Sequence, residues 1–443
     1  MKKAALHNLG CKVNAYETQA MQQLLEQAGY TIVPFQDQAD VYVVNTCSVT
    51  NIADRKSRQM LHRARRLNPQ AVIVAAGCYV QTAGPDDIEE GIADIILGNN
   101  KKEHLIPMLE QYQRTSAPVN DWEDMNGGSK QYESLRIKCT SEHTRAFLKI
   151  QDGCNQFCSY CIIPYARGRV RSRKPQEALQ EVRRLAENGC KEVVLTGIHL
   201  SSYGTDFSDI SESFAGEALL QLIRQIHEIP GISRIRLGSL EPGIISEPFV
   251  KELAGMEKLC PHFHLSLQSG CDTVLRRMNR KYSTREYADR CGILRSFFDH
   301  PAITTDVIVG FPGETQEEFQ ETERFLEQLA LYEMHIFKYS IRQGTKAAAM
   351  EGQIAETVKA RRSARLLALG EKMSVQYRES LVGEIKSVLL EEALFHDNKR
   401  YEVGYTTEYV KIAVESQQDR ANRLVRGRIA GHLTQDIYLM VEF

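Results

Sequence analysis

Apolar and polar positions along the first third of the chain fall into a repeating pattern. Residues 4–6 form a short apolar run, and 17–28 follow with Ala20, Met21, Leu24, Leu25 and Ala28 at helical spacing. Residues 41–44 are a β-branched run. Residues 53–67 read as a basic amphipathic helix, with Asp54 near its start and Pro69 just beyond its end. Residues 71–76 are again a buried-strand pattern. Strand–helix alternation of this kind predicts a parallel sheet covered by helices. This first domain is expected over 1–112. A polar stretch, 113–139, holds Gly127, Gly128 and the single tryptophan, Trp122, and is expected to be a linker or crossover.

From Arg145 a second, longer series begins. Strands are expected at 146–150, 192–196, 234–238, 262–267, 304–309 and 334–338, with helices such as 175–188 and 316–329 between them. Six units predict an open (β/α)6 barrel over 140–373, with functional groups at the carboxyl ends of its strands. After a charged helix at 355–373 the period changes to 2. Short strands are expected at 387–390, 401–405, 409–414, 424–429 and 437–441. The segment 374–443 therefore reads as an all-β module, a small barrel of the OB type. The expected fold is α/β: an N-terminal parallel domain, a central partial barrel and a C-terminal β barrel.

Composition narrows the function classes. Apolar residues make up 42% and charged residues 25%, ordinary values for a globular chain. No apolar run approaches the roughly 20 residues that span a bilayer. His7 and Asn8 interrupt the apolar stretch that follows Lys2 and Lys3, so no signal peptide is expected, and the protein is read as cytoplasmic. With 55 basic and 57 acidic residues, any nucleic-acid site must be a local patch rather than a global field.

The eleven cysteines are an odd number, and a cytosolic chain keeps its thiols reduced. Metal ligation or plain burial are the expectations. The sharpest signal is DGCNQFCSYC, with Cys154, Cys158 and Cys161 at C-x3-C-x2-C directly after an expected strand. Three thiolates on one tight loop can hold three irons of a cubane and leave the fourth without a protein ligand. A structural zinc needs a fourth ligand, and no histidine follows Cys161 closely. Phe157 and Tyr160 between these cysteines suit either shielding of a reactive site or ordinary packing. Cys11, Cys47 and Cys78 each sit just past an expected strand, in LGC, NTC and AGC. In a parallel sheet the carboxyl ends share one edge, so three cysteines carried there can meet. Gly10 and Gly77 allow close backbone approach. Buried structural thiols are the alternative for this set, and the expectation for Cys139, Cys190, Cys260, Cys271 and Cys291.

The C-x3-C-x2-C loop after a first barrel strand resembles the radical S-adenosylmethionine signature. The pieces LGCKVN, NTCSVTNIADRKSR, AAGCYV and DGCNQFCSYCIIPYARGRVRSR together resemble the methylthiotransferase family, over essentially residues 3–442. That resemblance implies a 4Fe-4S cluster on Cys154, Cys158 and Cys161 that binds and cleaves S-adenosylmethionine. It implies a second 4Fe-4S cluster on Cys11, Cys47 and Cys78 that holds the sulfur to be transferred, and a C-terminal TRAM module. It also implies S-adenosylmethionine as both radical source and methyl donor, and an electron donor such as a flavodoxin or ferredoxin. The wording GCKVN and NTCSVTNIADRKS resembles the branch that acts at C2 of N6-threonylcarbamoyladenosine at position 37 of tRNA. The isopentenyladenosine branch and a non-catalytic iron-sulfur RNA-binding module are the alternatives.

Charge patterning fits an RNA partner. Arg55, Lys56, Arg58, Arg63, Arg65 and Arg66 share one expected helix. Arg167, Arg169, Arg171 and Arg173 alternate, which on an extended strand would place all four on one side. Such stripes neutralise phosphates, although solvated faces look alike in sequence. In the tail, Tyr401, Tyr405 and Tyr409 with Arg423, Arg426 and Arg428 suit RNA on a small barrel, or simple packing for the tyrosines. For the cofactor, Thr196, Gly197, Ser239, Gln268 and Asp306 end expected strands. The superfamily's Gly-Gly-Glu is replaced here by Leu195-Thr196-Gly197, which leaves the amino-group contact open. Residues 310–314, GFPGE, are expected either to pack an adenine or to end a strand.

Overall fold

The strand–helix rhythm at the start of the chain becomes a six-stranded parallel sheet in the computed structural model, which describes residues 2–127, 131–137, 144–208 and 213–443. Its strands are β1 (Lys3–Asn8), β2 (Thr31–Ile32), β3 (Val41–Thr46), β4 (Val72–Gly77), β5 (Ile95–Leu97) and β6 (Val119–Asp121), in the order β2-β1-β3-β4-β5-β6. Every residue of β3 is buried, as expected for a central strand covered on both faces. The covering helices are α1 (Lys12–Gln27), α2 (Asn51–Leu67), α3 (Cys78–Ala83) and α4 (Leu105–Thr115). Thr50 caps α2 by accepting a hydrogen bond from the Ala53 amide at 3.2 Å. That helix buries Leu61 and Ala64 and leaves its basic side outside.

The first sheet runs past residue 112. β6 lies inside the stretch expected to be a linker and pairs with β5, and Met125, Leu135 and Ile137 are buried beyond it. Polar composition hid this strand, because an edge strand only three residues long carries almost no periodic signal. Cys139 lies outside the described residues.

The central domain has the six expected parallel strands: β7 (Arg145–Lys149), then, after the short antiparallel pair β8 (Gln151–Asp152) and β9 (Arg171–Ser172), β10 (Glu192–Thr196), β11 (Arg234–Leu237), β12 (His262–His264), β13 (Ala302–Val309) and β14 (Glu333–Lys338). They pair as β7-β10-β11 and β12-β13-β14, and a bridge from Leu240 to Leu265 links the halves. Among the described residues no ladder joins β14 to β7, so the barrel is open. Leu148, Leu195, Leu237, Leu265 and Val307 face the outer helices in one continuous core. Each such side chain contributes about 1.5–3 kcal/mol on burial.

The helix Glu356–Ser380 extends seven residues past the expected boundary at 373. It leads into a closed five-stranded barrel of β15 (Ile385–His396), β16 (Lys399–Thr406), β17 (Lys411–Glu415), β18 (Leu424–His432) and β19 (Tyr438–Glu442), in the order β15-β16-β17-β19-β18. This barrel docks on the amino ends of the central strands. Arg234 donates to the carbonyls of Tyr405 and Ser387 at 2.7 and 2.8 Å, and Arg236 to that of Thr407 at 2.9 Å. No described helix is long and apolar enough to cross a membrane.

Candidate metal centres

The loop after β7 and β8 is tied at both ends. The Cys154 amide donates to the Gly168 carbonyl at 3.0 Å, the Ser159 amide to Met278 at 3.0 Å, and the Asn279 amide side chain to the Phe157 carbonyl at 3.0 Å. These bonds hold Cys154, Cys158 and Cys161 on one short turn. Arg280 donates to the Cys158 sulfur at 3.1 Å and to the Glu241 carboxylate at 2.6 Å. His199 lies 3.7 Å from the same carboxylate. Burial pushes the Cys154 thiol to about 11 and the Cys161 thiol to about 12. Iron must therefore displace these protons, and a cationic Arg280 favours the thiolate form.

β1, β3 and β4 are adjacent in the first sheet, and their carboxyl ends carry Cys11, Cys47 and Cys78 to one edge. Gly77 makes this possible. Its φ is +95°, and a Cβ there would lie 2.5 Å from the Asn45 side chain and 2.6 Å from the Thr46 carbonyl. The Cys11 sulfur donates to Asn14 Oδ1 at 3.6 Å, and the Asn99 side chain donates to the Cys78 sulfur at 3.6 Å. Burial, with the Cys78 sulfur adding to it, pushes the Cys47 thiol to about 11. Among the described residues, neither triad gathers its ligand atoms within 4.8 Å; the group that does is His264, Asp306 and His335. A single ion would need the tighter grouping, whereas a cubane spreads three thiolates over three irons. Both triads fit such a cluster: three thiolates each, with hydrogen-bond donors aimed at sulfur.

The arginine stripe is corrected by the structure. Arg167, Arg171 and Arg173 are 0%, 2% and 1% exposed and cannot reach phosphate. Residues 163–167 form a helical turn, α5 (Ile163–Arg167), and Gly168 breaks the extended path, so alternation in sequence does not become one face. Arg167 binds Glu17 at 2.8 Å, Asp152 at 3.1 Å and Asn14 at 2.9 Å. Arg171 donates to the Arg167 and Arg169 carbonyls, and Arg173 pairs with Glu181 at 2.6 Å. Only Arg169 remains exposed, over the Phe157 ring at 4.5 Å. Arg55, Lys56 and Arg58 are exposed on α2, as are Arg423, Arg426 and Arg428 on the tail. Arg65 is drawn away to Asp94 at 2.8 Å. Tyr405 and Tyr409 stack on one another under Arg145, so they build the docking face instead of an RNA surface. Tyr401 is buried.

A cavity of about 200 Å³ joins the two halves of the site. It is lined by Val49 and Thr50, just after Cys47, by Tyr160 and Cys161 of the radical loop, and by Gln268, Asp306 and Phe337 of the barrel. Arg342 holds the Cys47 loop in place through Asp54 at 2.6 Å and Ser48 at 2.7 Å. Of the expected cofactor residues, Gln268 and Asp306 line this cavity. Thr196 and Gly197 sit at the end of β10, where Gly197 packs on Gln151, and Ser239 follows β11; these three are not among its lining. The GFPGE turn is structural: Phe311 is fully buried against Tyr339, and Glu314 pairs with Arg362 at 2.7 Å. Cys190, Cys260, Cys271 and Cys291 are buried. Sequence reasoning missed Lys12, His199, Arg280 and the His264–His335 pair. Each lies on a different element, and only position beside an already identified ligand, as for Lys12 after Cys11, offered a signal.

Residues 148–326 match the Radical SAM superfamily, and residues 3–98 match Uncharacterized protein family UPF0004. A threonylcarbamoyladenosine tRNA methylthiotransferase of Bacillus subtilis (strain 168) is 41% identical over 97% of this chain and 94% of its own length. A protein of the same description from Thermotoga maritima is 35% identical over 93% and 91%. A tRNA-2-methylthio-N(6)-dimethylallyladenosine synthase of Pelotomaculum thermopropionicum is 36% identical over 88% and 87%. Among solved structures, the radical S-adenosylmethionine methyltransferase TsrM from Kitasatospora setae superposes with a TM-score of 0.58 at 15% identity, covering 78% of this chain and 77% of that one, a likeness of fold alone. With a cavity that reaches from the loop after Cys47 to Cys161 and relatives alike over nearly the whole chain, the protein belongs to the radical S-adenosylmethionine tRNA methylthiotransferase family.

Proposed function

We propose that this chain attaches a methylthio group to C2 of N6-threonylcarbamoyladenosine at position 37 of tRNA, using a 4Fe-4S cluster at each cysteine triad. The observation that carries the reading is the shared cavity, which runs from the Cys47 loop to Cys161 and so suits sulfur delivery and radical generation on one substrate. The clusters and S-adenosylmethionine, when bound, would supply the carbon radical, the methyl group and the sulfur that this chemistry requires, with electrons from a flavodoxin or ferredoxin. C2–H is not acidic, so acid–base groups alone cannot activate it.

The chain's own residues position and protect. Gln268 and Asp306 offer polar contacts in the cavity, and Tyr160, Ile308 and Phe337 give it dry walls. Val49, Ile52, Tyr165 and Phe337 are exposed apolar side chains around this region, which suits stacking of an extruded base. Arg55, Lys56 and Arg58 continue from the Thr50 rim along α2, and with Arg169 they are positioned to meet the phosphates of the anticodon stem-loop.

Mass spectrometry of tRNA nucleosides from a deletion strain tests the proposal. Loss of 2-methylthio-N6-threonylcarbamoyladenosine, restored by the gene, is expected; loss of the 2-methylthio-isopentenyl nucleoside instead would overturn it. Production of 5'-deoxyadenosine by anaerobically reconstituted protein separates the enzyme from an iron-sulfur binding module.

A further inference from the structure

The central barrel's lumen carries more charge than the reaction alone explains. α1 lies against the open side of the barrel: Glu17, on its second turn, reaches Lys149 of β7 at 2.7 Å. Lys12 opens the helix, directly after the cluster ligand Cys11. Its side chain is accessible there and lies within electrostatic reach of Arg236, Arg145, Asp306 and Cys11. The two arginines there are already paired. Arg145 pairs with Glu391 at 2.9 Å, Arg236 with Glu192 at 2.8 Å, and Asp306 faces His264 at 3.3 Å, with His335 beside them. Lys12 has no carboxylate within ion-pair distance among the described residues. The amine therefore has no ion-pair partner, and Asp306, a carboxylate within its electrostatic reach, lies beyond ion-pair distance.

Resting on the substrate reading above, we infer that Lys12 binds the carboxylate of the threonylcarbamoyl group and so selects this nucleoside over one with an apolar N6 substituent. Geometry supports it. In adenine a single ring atom, N1, separates C2 from the carbon that bears N6. A base whose C2 faced a cluster held by Cys11, Cys47 and Cys78 would therefore carry its N6 substituent within a few ångströms of that point, and Lys12 follows one of the three ligands directly. An isopentenyl group offers the amine nothing and would leave it unpaired and partly desolvated.

The test is a binding cycle on the reconstituted enzyme, with anticodon stem-loops bearing N6-threonylcarbamoyladenosine or its carboxamide analogue. For the unmodified enzyme, amidation should weaken binding about tenfold to a hundredfold, the range for a charge-assisted hydrogen bond. In Lys12→Gln and Lys12→Met the carboxylate and carboxamide stem-loops should bind alike. Equal binding of the two ligands by the unmodified enzyme, or a retained preference in either neutral variant, would overturn the role of Lys12. An unmodified enzyme that prefers the isopentenyl stem-loop overturns the substrate reading instead, so the two failures are distinguishable.

Discussion

Replacing Glu17 by Gln should cost this protein much of its stability. The Glu17 carboxylate is fully buried at the junction of the first sheet and the barrel, with Lys149 at 2.7 Å, Arg167 at 2.8 Å and Lys102 at 3.2 Å. Asp152 is the second anion of this network, at 2.6 Å from Lys149. Burial alone would raise the Glu17 pKa, but Arg167, Lys102 and Lys149 outweigh it and hold the carboxyl well below its usual range. The amide keeps the shape and removes the charge, leaving three buried cations of which Asp152 pairs with two, Lys149 and Arg167. Breaking a buried pair from one side costs about 3–5 kcal/mol. At about 2–4 °C per kcal/mol for a domain of this size, the midpoint should fall by roughly 6–20 °C in calorimetry. The sign of the pH dependence follows from the lowered pKa. Stability from this group is present above the unfolded carboxylate pKa of about 4.3 and is lost as pH falls below it. The difference between the two proteins should therefore be flat from about pH 8 to about pH 6. A fall of less than about 1 kcal/mol at neutral pH, the range of a surface pair, would refute the claim that this junction is dry and held by charge.

Four further outcomes are expected. Replacing Cys154, Cys158 and Cys161 by alanine should leave about half the iron after reconstitution, since the other triad sits on a separate sheet; a folded but iron-free variant would exclude two independent sites. Alanine at Cys11, Cys47 and Cys78 should preserve 5'-deoxyadenosine formation and abolish the methylthio nucleoside, with circular dichroism controlling for the coupling of metal to fold. Arg423→Ala with Arg426→Ala should weaken tRNA binding and lower the slope of log K against log salt by about 0.7–0.9 for each phosphate no longer neutralised, whereas an unchanged slope would remove the tail from the RNA surface. Deleting residues 381–443 should lower the thermal midpoint of the central domain, because it strips Arg234 and Arg236 of their carbonyl partners; an unaltered midpoint would show the docking face to be idle.

The sequence alone showed most of the strand–helix order and the C-x3-C-x2-C triad, and it left Cys11, Cys47 and Cys78 open between convergence and plain burial until the family resemblance was added. Strand–helix alternation reads locally: the fully buried β3 and the period-2 tail each declare themselves within about ten residues. The C-x3-C-x2-C loop is equally local, because its three ligands share one turn. Tertiary structure decided what depends on distance through space. Three cysteines separated by whole strand–helix units meet only because β1, β3 and β4 are neighbours and Gly77 permits their ends to close. The arginines at 167, 171 and 173 looked like a phosphate stripe, since sequence records a charge but not its partner. Folding places Glu17 and Asp152 beside Arg167, Asp152 near Arg171, and Glu181 beside Arg173, and the desolvation cost of each ion is offset only by that pairing. Lys12 shows the converse: its charged neighbours come from three strands of the barrel and the residue before it, and that it has no ion-pair partner among the described residues is visible only once those strands surround it.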